Sequence, residues 1–190
     1  FTLYSMQQYR TRYLLARLTQ HVEMAFSGLK TPGSLEPFTK LEIEHILPDN
    51  PKAELRATWA AENSNAVYDD YKNRLGNLTL LEKPINIVAG NDFYKAKQAE
   101  YGKSGNYLTR SLVALTDVGQ NTSISRINTK LEAFPAWNAA SIERRHALLI
   151  ALAQEVCYCV GNSCMSERSG WAAKCCFHSW GVSSATRLAG

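Results

Sequence analysis

An acidic residue and a histidine stand side by side in the segment Glu44-His45-Ile46-Leu47-Pro48. Two asparagines follow at a distance: Asn77 comes directly after a glycine, and Asn86 comes two residues after a proline. A neutral imidazole can take a proton from water because its unperturbed pKa lies near neutrality. Carboxylate and amide oxygens suit Mg²⁺, which usually keeps several waters and binds substrate phosphate as well. Together these residue types could hydrolyse a phosphodiester.

The chain around these residues contains the local patterns of two short strands and a helix. Residues 40–47 alternate loosely in polarity, and the prolines that follow rule out a longer strand. Residues 78–81 form a short apolar run after a glycine, which predicts the partner strand. Residues 92–101 predict a helix with Asn91 or Asp92 as its N-cap. This is the ββα order that a metal-dependent nuclease needs, and it would surround His45, Asn77 and Asn86.

Helical patterns dominate the rest of the chain. Residues 9–26 predict an amphipathic helix, since Leu14, Leu18 and Val22 recur at four-residue steps. Lys83-Pro84 is predicted to break the pattern after the second strand. Further helices are predicted at residues 53–61, 108–115 and 141–156. The predicted fold class is therefore α+β and mainly helical, with a ββα-metal hairpin and helix as its core, surrounded by helices.

Each of the motif side chains also has a purely structural explanation. His45 could pack beneath an apolar strand, Asn77 could form a turn after glycine, and Asn86 could cap a loop. Adjacent strand residues point to opposite faces, so Glu44 and His45 could reach one phosphate only at a strand end or bulge. The joint spacing favours the functional interpretation, with Asn77 able to pin the backbone beside His45.

Two segments, Glu44-His45-Ile46-Leu47-Pro48 and Leu75-Gly76-Asn77-Leu78-Thr79-Leu80-Leu81, resemble the HNH nuclease family in its His-Asn-Asn variant. More closely, the chain resembles the C-terminal HNH-like domain of GmrSD-type modification-dependent restriction and phage-defence enzymes. The resemblance covers about residues 4 to 156. It includes Tyr13-Leu14-Leu15-Ala16-Arg17-Leu18, Ile85-Asn86, Asn91 with Phe93, Lys97 with Tyr101 and Ser104, and Trp137 leading to Ile142 and Arg145.

The resemblance implies a role for each motif residue. His45 is the general base, Asn77 orients it, and Glu44 and Asn86 are the metal ligands. Asn91 is a second candidate ligand, although helix capping explains it equally well. Many relatives have aspartate before the histidine, whereas this chain has glutamate, and the third motif residue is asparagine rather than histidine. An asparagine oxygen is a harder ligand than imidazole and favours Mg²⁺ or Mn²⁺.

Three lysines lie on or just after the predicted helix that follows the motif: Lys95, Lys97 and Lys103. They are predicted to contact DNA phosphates, with a solvated helix face as the alternative. The net charge of +4 and the pI near 8.8 are compatible with an anionic partner, but charge alone is weak evidence.

Length and composition restrict the class of protein. A chain of 190 residues with 45% apolar and 20% charged residues predicts one globular domain. Because no apolar run reaches about 18 residues, no membrane span is expected. The first 156 residues contain no cysteine, which suits a reducing cytoplasm. The chain begins with Phe1 and shows no signal-peptide pattern, so it is expected to be a fragment of a longer protein.

All five cysteines lie in the last 34 residues. This predicts a nuclease domain at residues 1–156 and a Cys-rich tail at residues 157–190, where the last helix ends. A zinc site is an alternative, and its potential ligands are Cys157, Cys159, Cys164, Cys175, Cys176 and His178. No Cys-x₂-Cys pair occurs, so the tail is predicted instead to be disordered or a non-native extension.

The sequence predicts a metal-dependent endonuclease that acts on double-stranded DNA and nicks one strand per active site, leaving 5′-phosphate and 3′-hydroxyl ends. The resemblance implies the cleavage domain of an anti-phage restriction system. Its target would be chosen by an N-terminal nucleotide-hydrolysing domain that senses DNA modification. The alternative is a catalytically inactive DNA-binding or protein-interaction module that keeps the hairpin as a scaffold.

Overall fold

The computed structural model describes residues 8–164, with side chains described through Val156. The protein is α+β and mostly helical, and its described sheet has two antiparallel strands. The elements in chain order are α1 (Gln8–Phe26), α2 (Glu36–Thr39), β1 (Glu42–His45), α3 (Ala53–Glu62), α4 (Tyr68–Lys72), β2 (Leu78–Leu81), α5 (Lys83–Ala89), α6 (Tyr94–Tyr101), α7 (Tyr107–Arg110), α8 (Ser123–Asn128) and α9 (Ala139–Cys164). A 3₁₀ turn, Leu75–Asn77, directly precedes β2. Among the described helices, none has the length and apolar character needed to cross a membrane.

Helix α1 buries one side because its small and apolar residues recur at the helical period. Thr11, Leu15, Leu18 and Val22 are each at most 3% exposed. Their spacing of three or four residues places them on one face. The sequence predicted this helix, but it placed Leu14 in the buried stripe, whereas Leu14 is only partly buried.

Strands β1 and β2 form the hairpin that the sequence predicted. His45 pairs with Leu78 at one end, and Glu42 pairs with Leu81 at the other. The Ile46 backbone N–H donates to the carbonyl of the residue before β2 at 3.0 Å, so the pairing continues past the last residue of β1. Strand β2 is buried along its whole length. Helices α1 and α7 pack against β2, and α5 packs against β1.

Two helix starts differ from the sequence prediction. Lys83-Pro84 begins α5 instead of ending regular structure, because proline suits the first turn of a helix, where its missing N–H is not needed. Helix α6 begins at Tyr94, and Phe93 rather than Asn91 or Asp92 occupies the N-cap position. The Asp92 side chain instead accepts a hydrogen bond from the Phe93 backbone N–H.

Two further helices differ from the prediction in length. Helix α7 has four residues, whereas residues 108–115 were predicted to be helical. Helix α9 continues to Cys164, so the prediction that it ends where the cysteines begin is wrong. The predicted Cys-rich tail and its zinc alternative concern side chains from residue 157 onward, which lie outside the described residues.

Helix α9 lies directly against the 3₁₀ turn before β2. A Cβ atom on Gly76 would lie 2.2 Å from the carbonyl oxygen of Ile142 and 2.8 Å from the backbone nitrogen of His146. Only glycine fits such a close approach. Arg145, on the same helix, is buried and donates to the carbonyls of Gly76 and Leu78 at 2.7 Å each. Burial lowers the pKa of Arg145 to about 10, so the guanidinium is still charged at neutral pH.

An aromatic core lies beneath the segment that follows β1. The Trp137 ring is 5.2 Å from that of Tyr94 and 5.4 Å from that of Phe134, measured between centroids. Ile46 and Leu47 belong to the same buried cluster. Aromatic rings at these distances pack as core contacts. The residues directly after His45 are therefore anchored in the interior, because Ile46 and Leu47 are buried in the same cluster as these rings.

Candidate active site

His45 is the last residue of β1 and is partly exposed. Its Nε2 lies 3.3 Å from Oδ1 of Asn73, the residue that follows α4. Burial lowers the pKa of His45, while the hydrogen bond to Asn73 and the carboxylates of Asp49 and Glu44 act in the opposite direction. The lowered pKa favours the neutral ring, which is the form that can accept a proton.

Glu44 precedes His45 on β1 and contacts a different part of the molecule. It is 7% exposed, and its Oε1 accepts hydrogen bonds from Nζ of Lys97 and the hydroxyl of Tyr101, each at 2.7 Å. Lys97 also donates to the backbone carbonyl of His45 at 2.9 Å. Adjacent strand residues face opposite sides, which is why Glu44 reaches α6 while His45 reaches Asn73. The ammonium group of Lys97 therefore binds both Glu44, through its carboxylate, and His45, through its backbone carbonyl.

The placement of Lys97 differs from its predicted contact with DNA. Its side chain is 1% exposed, and burial lowers its pKa against the opposing effect of Glu44. Buried in this way, Lys97 is not presented to a phosphate on the surface. Lys95 and Lys103 are exposed, and Lys103 pairs with Glu100 at 2.6 Å. Their contacts with DNA stay predictions.

Asn77 closes the 3₁₀ turn before β2 and is wholly buried. Its Oδ1 accepts from the backbone N–H of Leu47 at 2.7 Å and from the indole N–H of Trp137 at 2.9 Å. Its Nδ2 donates to the carbonyls of Leu47 at 2.8 Å and Lys72 at 2.7 Å. The side chain thus uses both lone pairs and both donors, and it fixes the backbone two residues after His45. A role in orienting a catalytic base stays a prediction.

Asn86 lies in α5, and its Nδ2 donates to Oε2 of Glu42 at 2.9 Å. Glu42 and Glu44 are two residues apart on β1 and therefore share a face of the hairpin. The structure thus brings Asn86 to the strand face that carries Glu44, and the hydrogen bond links it to Glu42. Asn91, the second candidate ligand, is exposed on the turn between α5 and α6.

The oxygen atoms on this face of the hairpin suit a hard divalent cation, because carboxylates and amide oxygens are the ligands that Mg²⁺ prefers. Among the described residues, no group of three or more His, Cys, Asp or Glu side chains is arranged to hold a metal ion. A cation here would depend on one or two protein oxygens together with water and substrate phosphate. Mg²⁺ is commonly bound in this way.

The sequence predictions assigned no role to three residues that contact the motif or its neighbours on β1: Glu42, Asn73 and Tyr101. The two-residue period of a strand could have identified Glu42, since it shares a face with Glu44. The helical period could have identified Tyr101, which lies four residues after Lys97. Asn73 had no local signal, because its contact with His45 joins residues separated by 28 positions.

Fold and site together define a mostly helical domain built around a histidine-bearing β-hairpin. The chain matches the family described as GmrSD restriction endonucleases, C-terminal domain, over residues 1–152. The chain therefore belongs to this family, which confirms the resemblance to the GmrSD-type C-terminal domain and indicates a restriction endonuclease. No curated protein matches the chain, and no solved structure matches it either.

Proposed function

We propose that this domain is the cleavage domain of an anti-phage restriction system and hydrolyses double-stranded DNA with the help of a divalent cation. His45 is the general base and Asn77 orients it, in a ββα-metal core of the HNH type. Glu44 and Asn86 are the ligands of Mg²⁺ or Mn²⁺. The motif occurs once in the sequence, so each active site nicks one strand.

The placement of His45 carries this proposal. The ring is partly exposed at the end of β1, whereas the residues that hold it and its backbone are at most 2% exposed: Asn73, Asn77 and Lys97. A reactive imidazole has to reach solvent and substrate while its surroundings keep it in one orientation. A histidine that only packed beneath an apolar strand would be buried like its neighbours.

In the proposed reaction, the neutral imidazole of His45 removes a proton from water as the water oxygen attacks phosphorus in line with the 3′ oxygen. The bond between phosphorus and the 3′ oxygen breaks, and that oxygen takes a proton from solvent. The products have 5′-phosphate and 3′-hydroxyl ends, and the imidazolium then releases its proton to solvent.

A cation held by Glu44 and Asn86 would neutralise the negative charge that develops on the phosphate. Among the described residues, Lys97 and Tyr101 both donate to Oε1 of Glu44, so Oε2 is the atom that this side chain would offer to a cation. Lys97 and Tyr101 hold that carboxylate in place, which limits the ordering needed when the cation binds.

Relaxation of supercoiled plasmid in Mg²⁺ tests the assignment of His45. We expect His45→Ala to lower the nicking rate by about 10²- to 10⁴-fold, the usual cost of losing a positioned general base. His21→Ala, which removes a histidine from α1, is the matched control and should keep the wild-type rate. Circular dichroism should show both variants folded, and undiminished nicking by folded His45→Ala would contradict the assignment.

Metal dependence provides a second test. We expect Asn86→Ala to weaken the apparent affinity for the cation, so raising Mn²⁺ should restore part of its nicking rate. His45→Ala lacks the base rather than a ligand, and the same Mn²⁺ concentrations should leave it inactive. Nicking by the wild-type protein should stop in EDTA, and nicking that continues there would rule out the metal-dependent model.

The matched family consists of C-terminal domains, and we infer that an N-terminal nucleotide-hydrolysing, modification-sensing domain selects the DNA target.

The plasmid experiment also decides between the two classes of function, an endonuclease and a catalytically inactive module. A wild-type protein that binds plasmid but leaves it intact in both Mg²⁺ and Mn²⁺ would be a catalytically inactive DNA-binding or protein-interaction module.

A further inference from the structure

Asn73 stands between α4 and the 3₁₀ turn and contacts the His45 ring. Its Oδ1 lies 3.3 Å from Nε2 of His45, and the residue is 2% exposed. Its Nδ2 is buried and has no hydrogen-bond partner among the described residues. Buried amide groups in native proteins nearly always have partners, so this arrangement needs an explanation.

Asn77 provides a comparison within the same site. Its amide oxygen and its amide nitrogen each make two hydrogen bonds, as expected of a buried asparagine that stabilises the fold. Asn73 is as deeply buried, yet within the described part of the chain its side chain makes one hydrogen bond, to the ring of His45. Hydrogen bonds that stabilise the fold therefore do not explain why an asparagine is buried at position 73. Its contact with the His45 imidazole does explain it.

We propose that Asn73 is a positioning residue for His45. Its Oδ1 accepts a hydrogen bond from Nε2–H and so holds the imidazole in the tautomer whose lone pair is on Nδ1. The partner of one ring nitrogen determines which nitrogen carries the proton, as in other sites where histidine acts as a base or ligand. This inference rests on the proposed function of His45 as the general base.

One side chain holds the backbone on both sides of this contact. Asn77 donates from Nδ2 to the carbonyl of Lys72, directly before Asn73, and to the carbonyl of Leu47, two residues after His45. The buried amide of Asn77 therefore sets the distance between the backbone at His45 and the backbone at Asn73. A contact supported in this way keeps the ring orientation without further adjustment when substrate binds.

The tautomer determines where the proton goes in the proposed reaction. With Nε2–H donated to Asn73, the proton taken from water binds to Nδ1, and the hydrogen bond from Nε2–H is retained. Asn73 adds no charge and accepts no proton during the transfer. An aspartate at this position would accept the same hydrogen bond and preserve the tautomer.

Nitrogen-15 NMR of the full chain labelled at histidine tests the contact without DNA. His45→Ala assigns the His45 signals by their loss, and spectra are recorded at a pH where the ring is neutral. We expect a proton on Nε2 and a lone pair on Nδ1 in the wild type and in Asn73→Asp. We expect Asn73→Ala to show a mixture of both tautomers, and Asn65→Ala, which alters an exposed asparagine, to match the wild type.

Plasmid nicking by the same variants tests the role in catalysis. We expect Asn73→Ala to lower kcat by about tenfold with little change in KM, because the base loses its orientation while DNA binding is unaffected. Asn73→Asp should recover most of that loss. Equal losses in Asn73→Ala and Asn73→Asp would show that the side chain serves the fold rather than the ring.

The two measurements separate this inference from the proposed function. A wild-type His45 protonated on Nδ1, or an unchanged tautomer in Asn73→Ala, overturns the inference whether or not the protein cuts DNA. If Asn73→Ala does not fold, the tautomers of the wild type and Asn73→Asp still decide the matter. The expected tautomers in a protein that never nicks DNA would support the contact and overturn its role in catalysis together with the proposed function.

Discussion

At the residue scale, a buried ion pair ties the motif strand to α6. Lys97 is 1% exposed and Glu44 is 7% exposed, so both charges are largely removed from water. Such a pair is favourable only when further hydrogen bonds compensate for the lost hydration. The Tyr101 hydroxyl and the His45 carbonyl provide those bonds. The pair therefore fixes the positions of two motif residues, and breaking it leaves an uncompensated charge.

We expect Lys97→Met to destabilise the fold by about 3–5 kcal/mol, because the Glu44 carboxylate is left buried without its partner. Lys95→Met, on the exposed side of the same helix, is the matched control and should change stability by less than about 0.5 kcal/mol. Urea unfolding measures both values. Adding Glu44→Leu to Lys97→Met should recover part of the loss, and equal losses in the two lysine variants would argue against a buried pair.

At the element scale, α9 holds the start of β2 in place through a close backbone approach and a buried cation. Gly76 allows the approach because it has no Cβ, and Arg145 bonds to the carbonyls on both sides of Asn77. Arginine suits this task because its planar guanidinium presents several donors in a fixed geometry. The second motif thus depends on contacts with residues more than sixty positions later in the chain.

We expect Gly76→Ala to destabilise the protein by about 1–3 kcal/mol, because the new Cβ would overlap the Ile142 carbonyl and the backbone of α9 must shift. The matched control is Gly119→Ala, where an added Cβ meets nothing within 4 Å. Thermal unfolding followed by circular dichroism measures the difference. Identical midpoints for the two variants would mean that α9 does not approach the turn this closely.

At the scale of the whole molecule, the net charge of +4 is small, and the arrangement of charges matters more than their sum. Helix α6 buries Tyr94, Lys97 and Tyr101 toward the interior. Its opposite side exposes Lys95, and Lys103 is exposed just after the helix. Of the three lysines predicted to contact DNA, Lys95 and Lys103 are thus on the surface, and we expect DNA to bind there mainly through its phosphates.

We expect the double variant Lys95→Ala/Lys103→Ala to weaken DNA binding and to reduce its salt dependence. The slope of log affinity against log salt should fall by about 0.9 for each DNA phosphate that a lysine no longer neutralises. Lys30→Ala/Lys40→Ala, which removes two exposed lysines elsewhere, is the matched control. Fluorescence anisotropy with a short duplex in EDTA measures the slopes. Equal slopes for both double variants would place the DNA on another face.

The sequence by itself determined the parts of this protein whose signals are local. Hydrophobic periodicity and helix- or strand-breaking residues predicted both ends of β2, and they predicted the ends of α1 to within one residue. These signals act over a few residues, so they can be read without the tertiary structure. The family followed from the two motif segments, because side chains with specific roles leave recognisable spacing. The α+β class and its mostly helical content followed from the number of helical patterns.

Tertiary structure alone decided which side chains meet. The sequence predicts Lys97 to be a surface cation, but α6 turns it toward Glu44, a residue 53 positions away. Asn73 has no local feature of a site residue, but the path of the chain places it against His45. A local pattern identifies a charge or an amide and the face on which it lies. It does not specify which distant element packs against that face, because burial and partners arise only when the elements assemble.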